Sequence, residues 1–171
     1  MSGFFQALPF TLEMEGGFTV DTGGPTMKGV TEAVYHKWLT DQGMPKKPVK
    51  QIDEDELNTI YYKNYWVAAK CDKLPWPLSM IHFDCAVNTG VKRAIEILQD
   101  AVGADSDGDW GPETQNKLGL ALANDVILFN DMLWTRADFY YSLAQNPKYK
   151  PYLIGWLRRV LKLRRKAREL W

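Results

Sequence analysis

Histidine is nearly absent: His36 and His82 are the only two in 171 residues. With no His-Glu-x-x-His pair and only two cysteines, the chain lacks the ligand set of a zinc amidase or zinc peptidase, so no metal is expected. It has no Gly-x-Ser-x-Gly elbow, P-loop or dinucleotide fingerprint, which sets aside the common serine-hydrolase and nucleotide chemistries, and no cofactor is expected. Cys71 and Cys85 are too few for a disulfide framework. Cys85 lies in an apolar run, where a thiol is ordinarily a small core hydrophobe, and free buried thiols are the expectation.

Charge of one sign is also missing overall. Lys and Arg number 21 and Asp and Glu number 21, so there is no bulk attraction to a polyanion and nucleic acid is not an expected partner. No run approaches the roughly 18 apolar residues of a membrane span, so no stable membrane insertion is expected. The start, MSGFFQALPFTLEMEGG, has no Lys or Arg ahead of its apolar residues and no unbroken apolar stretch. It does not read as a Sec signal peptide, and synthesis in the cytoplasm without one is expected.

What is present is material for a core: 46% of residues are hydrophobic and 13% aromatic, more than a disordered chain carries. The aromatics read either as core fillers or as flat faces for sugar rings. The periodicity is helical almost throughout. Phe5, Leu8, Leu12 and Glu15 fall at spacings of three and four, and Gly16-Gly17 stops that helix. Residues 18–31 alternate around a Gly-Gly-Pro turn and predict a short hairpin or ordered loop. Thr31 reads as the N-cap of a helix over 32–42 with Val34, Trp38 and Leu39 inward. Asp53 and Glu56 form a capping box for a helix running to Val67.

After the break at LPWPL, residues 79–88 are apolar enough for a central buried helix. The next helix ends at Gly103, and Pro112 opens another after DSDGDWGPET. Two longer helices, over 125–145 and 152–169, complete an all-α chain with a small β-hairpin. Their expected core residues include Val126, Phe129, Leu133 and Tyr140, then Trp156, Leu157, Val160 and Leu161. From Arg158 to Trp171 there are seven basic residues and one acid. That helix reads as a solvated basic face with an apolar side docked on the body, or as a patch with affinity for anionic wall polymers or membrane surface.

With metal, nucleotide and thiol chemistry set aside, carboxylates remain. Glu15 ends an apolar helix. An apolar setting and a helix C-terminus each disfavour negative charge, and an acid that keeps its proton is what protonation of a glycosidic oxygen requires. The plain alternative is an exposed helix-end glutamate. Asp21 is a candidate second carboxylate or a turn cap; Thr26 and Thr31 are candidate substrate contacts or caps. Asp84 and Asn88 share one helix face, as a buried hydrogen-bonded pair or with Asn88 on a cleft floor. The alternating Asp105, Asp107 and Asp109 do not make a calcium loop, since Trp110 stands where the loop needs glycine. Trp110 reads as a turn residue or as an aromatic face for glycan.

In order, EGGFTVDTGGPTMKGVT, FDCAVNTG and DSDGDWGPET resemble glycoside hydrolase family 108, the bacterial and phage N-acetylmuramidases. The first is similar to that family's N-terminal signature and the last to its C-terminal predicted peptidoglycan-binding region. Many relatives have a longer segment with an extra Asp after the Gly-Gly; here only Phe18-Thr19-Val20 intervenes. The resemblance implies a lysozyme-like helical domain that cleaves peptidoglycan between N-acetylmuramic acid and N-acetylglucosamine, with Glu15 as acid. It implies a catalytic region over 1–90 and a helical predicted peptidoglycan-binding region over 91–171, packed into one unit. The corresponding expectation is a monomeric phage endolysin, released with a holin's help to act on the wall in the periplasm. The rival readings are a lytic transglycosylase and a non-catalytic wall-binding or secretion-assisting module.

Overall fold

The computed structural model describes residues 2–21 and 23–170, without the side chains of Ser2 and Asp21. Among the described residues it has eight α-helices and one small sheet, the expected all-α, lysozyme-like architecture. The helices are α1 (Ser2–Glu15), α2 (Glu32–Asp41), α3 (Glu54–Tyr61), α4 (Leu78–Thr89), α5 (Val91–Val102), α6 (Pro112–Ala121), α7 (Asp125–Leu143) and α8 (Leu153–Glu169). The strands are β1 (Phe18–Asp21), β2 (Gly24–Met27) and β3 (Val30–Thr31), antiparallel in that order. The expected hairpin therefore carries a third short strand. No described helix is long and apolar enough to cross a membrane.

Helix α4 is the axle of the molecule. Its residues from Leu78 to Ala86 are all buried, and α1, α5, α7 and α8 pack around it. A helix apolar on every side can only be buried, which is why this stretch shows no amphipathic period. Three polar side chains in it, Ser79, His82 and Asp84, are as buried as their neighbours, and the two ionisable ones above all need partners.

His82 finds the Ala69 carbonyl at 2.9 Å. A carbonyl only accepts, so Nε2 carries the hydrogen. Burial pushes this imidazole down to about 4, against an ordinary 6.5, the Ala69 hydrogen bond opposing the shift. The unfolded chain therefore binds the proton first as pH falls. The stability contributed by neutral His82 is full above pH 6.5 and is lost as pH falls towards about 4, in total on the order of 3 kcal/mol. Melting temperature should fall more steeply between about pH 7.5 and pH 5 in the native protein than in a His82→Gln variant. Equal slopes in the two proteins would refute this account.

Local signals place the other elements. The Thr31 side chain accepts from Val34 N at 3.3 Å and caps α2. Asp53 and Glu56 close a reciprocal capping box at α3, after which the backbone continues as a π-helical stretch over Tyr62–Val67. Gly103 ends α5 in the left-handed conformation, φ 69°. The DSDGDWGPET loop is stapled by one buried residue. Gln99 Nε2 donates to Asp107 Oδ1 (2.8 Å), Asp109 O (3.0 Å) and Thr114 Oγ1 (2.9 Å), and its Oε1 accepts from Gly108 N (2.8 Å). Asp107 is thereby spent inside the loop.

The facing of several residues differs from the periodic reading. Phe4, Leu8 and Thr11 are the buried stripe of α1 and lead to Glu15, whereas Phe5 is 56% exposed. In α2 Tyr35 rather than Val34 points inward; Val126 in α7 and Leu161 in α8 are exposed. In their place α7 buries Arg136 and α8 buries Arg159. Cys71 and Cys85 are free and buried, and burial pushes both thiols up.

Candidate active site

Glu15 is the last residue of α1. Gly16 follows at φ 78° and returns its N–H to Leu12 O at 3.2 Å, so the chain leaves the helix sharply and enters β1. The sheet then folds back over the helix end, with Lys28 N donating to Gly17 O at 3.2 Å. Between β2 and β3 lies a two-residue turn of Lys28 and Gly29, both with positive φ, 46° and 78°. Such a turn matches the right-handed twist of the strands but is strained for a residue with a Cβ, here Lys28. A buried phenol holds it, as Tyr61 OH donates to Lys28 O at 2.6 Å. Burial raises the Tyr61 hydroxyl far above its ordinary value, the charge of Glu15 adding to that, and Tyr65 is raised for the same two reasons. Both phenols keep their protons, and Tyr61 donates its own to the turn.

This turn closes one side of the acid. A Cβ placed on Gly29 would lie 3.0 Å from Glu15 Oε2, 3.1 Å from its Cγ and 2.5 Å from Tyr61 OH. Glycine is required there twice over, by backbone conformation and by space.

The other side of Glu15 is charged, where the sequence led us to expect apolar neighbours. Arg159 Nη1 donates to Glu15 Oε1 at 2.7 Å, and the Glu15 side chain keeps 19% exposure. The same guanidinium is fixed on fully buried Asp84, through Nη2 to Oδ1 (2.8 Å) and Nε to Oδ2 (3.1 Å). Asp84 also accepts from Arg136 Nη1 (2.8 Å) and Thr11 Oγ1 (3.2 Å). Burial alone would raise the Asp84 carboxyl; the charges of Arg136 and then Arg159 outweigh it and hold Asp84 below its ordinary value. Arg136 Nε passes on to Tyr140 OH (2.9 Å), which donates to Asn88 Oδ1.

The residues singled out from sequence divide between two neighbourhoods. Glu15 stands at the junction of α1, the sheet and α8. Asp21 closes β1, its backbone opposite Gly24; its side chain lies outside the described residues. Thr26 is half-buried in β2, opposite Thr19 and Thr31, and the Thr31 hydroxyl caps α2. Asp84 and Asn88 are not bonded to each other but belong to one chain of bonds through Arg136 and Tyr140. Asn88 also lines a depression of about 310 Å³ with Met14, Trp156, Arg158, Arg159 and Lys162. Trp110 lies elsewhere: half-buried, its ring edge-on to His82 at 6.2 Å. No group of three His, Cys, Asp or Glu side chains that could hold a metal occurs among the described residues.

Arg136, Arg159 and Tyr61 were missed in the sequence. A signal existed for the arginines. Arg136 falls in register with Phe129, Leu133 and Tyr140, and Arg159 with Trp156, Leu163 and Ala167. An arginine inside an apolar stripe has to meet a buried anion, and Asp84 sits in a helix buried without a break from Leu78 to Ala86.

Residues 8–90 match the family model for glycosyl hydrolase 108, and residues 93–161 match that of the predicted peptidoglycan domain. Residues 8–90 are a glycosyl hydrolase 108 region. The matched segments follow one another along the chain and support a role in peptidoglycan hydrolysis or binding, with peptidoglycan as partner. The chain is also similar to the solved structure of Brucella abortus SagA, with 28% identity and a TM-score of 0.78 over 97% of this chain and 94% of that one. No curated protein matches it in sequence. Glu15 and Asp84 come from the glycosyl hydrolase 108 segment, and Arg136 and Arg159 from the predicted peptidoglycan segment.

Proposed function

We propose that the protein is an N-acetylmuramidase of the endolysin type. It hydrolyses the glycan strand between N-acetylmuramic acid and N-acetylglucosamine, with Glu15 protonating the leaving oxygen. The observation that carries the reading is the placement of Glu15: a partly exposed carboxyl at the helix–sheet junction. One oxygen is anchored by Arg159 and the other faces the Gly29 turn. An anchored carboxyl that keeps partial exposure and has a second oxygen not taken up by Arg159 suits general acid catalysis. Asp21, on the strand that follows, is the carboxylate we assign to orienting the attacking water. Thr26 and Asn88 are assigned to glycan contact, Thr31 to capping α2 and Trp110 to the core.

The catalytic region over 1–90 and the predicted peptidoglycan-binding region over 91–171 act as one packed unit in this reading. The enzyme is a monomer without nucleic-acid partners. Made in a phage host's cytoplasm, it reaches the wall in the periplasm through a holin or similar route to bring about host lysis.

Digestion of purified sacculi followed by mass spectrometry of the products tests the reaction. Reducing N-acetylmuramic acid ends are expected. Anhydro ends would make the protein a lytic transglycosylase instead, and binding to sacculi without product would make it a wall-binding module.

The Gly29 turn supplies a second test. Gly29→Ala should cost about 1–3 kcal/mol of stability from the left-handed backbone and the clash. It should also lower hydrolysis on the order of a hundredfold, because Glu15 must move. Gly43→Ala is the matched control. Gly43 has φ 70° and open space around it, so that variant should lose a similar backbone contribution and keep full activity. Equal activity of the two variants in a turbidity assay would remove Gly29 from the site.

A further inference from the structure

We propose that Arg159 is the positioning residue for Glu15, so that α8, within the predicted peptidoglycan domain, completes the catalytic centre. The inference rests on Glu15 being the acid.

Asp84 is fully buried between two guanidiniums, Arg136 and Arg159. One arginine suffices to neutralise one carboxylate, and Arg136 is itself fully buried against it. The second guanidinium would leave a positive charge uncompensated if Asp84 were its only partner. Glu15 is the second anion that Arg159 meets, at 2.7 Å.

Geometry assigns the role. The planar fork of Arg159 is seated on Asp84 through Nε and Nη2, which fixes the plane of the group and leaves Nη1 aimed at Glu15 Oε1. Asp84 in turn is held by Arg136 from α7 and by Thr11, one helical turn before Glu15 on α1. The guanidinium thus cannot follow a departing sugar. It holds Oε1 and leaves Oε2, beside Gly29, as the oxygen at which a proton is taken up and then given to the glycosidic oxygen. A lysine at 159 could not reproduce this, since an ammonium is a point charge without a fork. Arg159 also lines the depression shared by Met14, Asn88 and Trp156, so the element that orients the acid also borders the surface open to substrate.

A positioning role acts on turnover rather than on substrate capture. The test compares Arg159→Lys and Arg159→Gln with the native enzyme, with Glu15→Gln as the inactive reference and Arg165→Gln as a control on the exposed side of α8. Kinetics on purified sacculi should show kcat lower by on the order of a hundredfold in both Arg159 variants. KM should change by less than about threefold and the pH–rate profile should be altered, with Arg165→Gln unchanged. A folded Arg159 variant with native kcat and native pH profile overturns the proposal, as does a loss confined to KM. If neither variant folds, the native enzyme decides. The Arg159 Nη protons in an NMR spectrum should move when Glu15 alone is replaced by Gln, and unmoved resonances overturn the proposal. A native enzyme that releases no product from sacculi would instead strike the acid reading itself, leaving the ion pair to the NMR arm.

Discussion

Glu15→Gln is expected to bring sacculus hydrolysis down to background while the protein still folds. Gln keeps a carbonyl oxygen where Glu15 Oε1 accepts from Arg159 Nη1, and it keeps the shape that fits beneath the Gly29 turn. It has no proton to give. A positioned general acid contributes about 10²–10⁴-fold to rate, and that is the loss expected in a dye-release or turbidity assay. Arg159 retains its bonds to Asp84 but loses its second anion, so the variant should still fold with stability lower by about 1–3 kcal/mol. Urea unfolding of the same preparations checks this. Native-like lysis by the variant would show that the proton comes from another group.

Asp84→Ala is expected to have the largest effect on stability of any single replacement in the molecule. It strands Arg136, fully buried, and Arg159, mostly buried, beside each other with no carboxylate between them. Removing one partner of a buried ion pair costs about 3–5 kcal/mol, because the remaining charge stays out of water. Here two charges remain. Asp84→Asn should cost less, since an amide oxygen still accepts from one guanidinium. The Asp84 carboxyl is depressed below its ordinary 3.8 in the folded protein, so its contribution is complete above that pH and is lost as pH falls through the folded value. The gap in denaturant midpoint between native protein and Asp84→Asn should therefore be full at about pH 7, begin to narrow near the ordinary 3.8 and keep narrowing as the pH is taken towards about 2. A constant gap between them would mean that Asp84 does not titrate with the fold.

Punctuation was legible in the sequence and orientation was not. Thr31, the Asp53–Glu56 box, Gly103 and Pro112 each mark a helix end by bonds made within a few residues, and each does so in the structure. Which side of a helix faces inward depends on what the rest of the chain brings up against it. Phe4 and Phe5 are equally apolar, yet only Phe4 meets the rings of Tyr62, Trp66 and Phe83 across the core. The run of basic residues in α8 concealed the same problem. Arg158, Arg164 and Arg165 are solvated as a charge run ordinarily is, while Arg159 turns inward because Asp84 lies 75 positions earlier in the chain. Glu15 could be chosen from its neighbours in sequence, but its anchor could not.

The acid and its guanidinium partner are 144 positions apart. The centre consequently closes late. During synthesis Glu15, the sheet and Asp84 emerge well before α8, and until α8 docks, a buried carboxylate lacks one of its two cations. Contacts of such long sequence separation form slowly and among the last in folding. Assembly of the helical body and completion of the Glu15–Arg159–Asp84 cluster are thereby coupled to one event, the seating of a single helix. A polypeptide still being made, or one cut ahead of Arg159, carries Glu15 without its guanidinium partner.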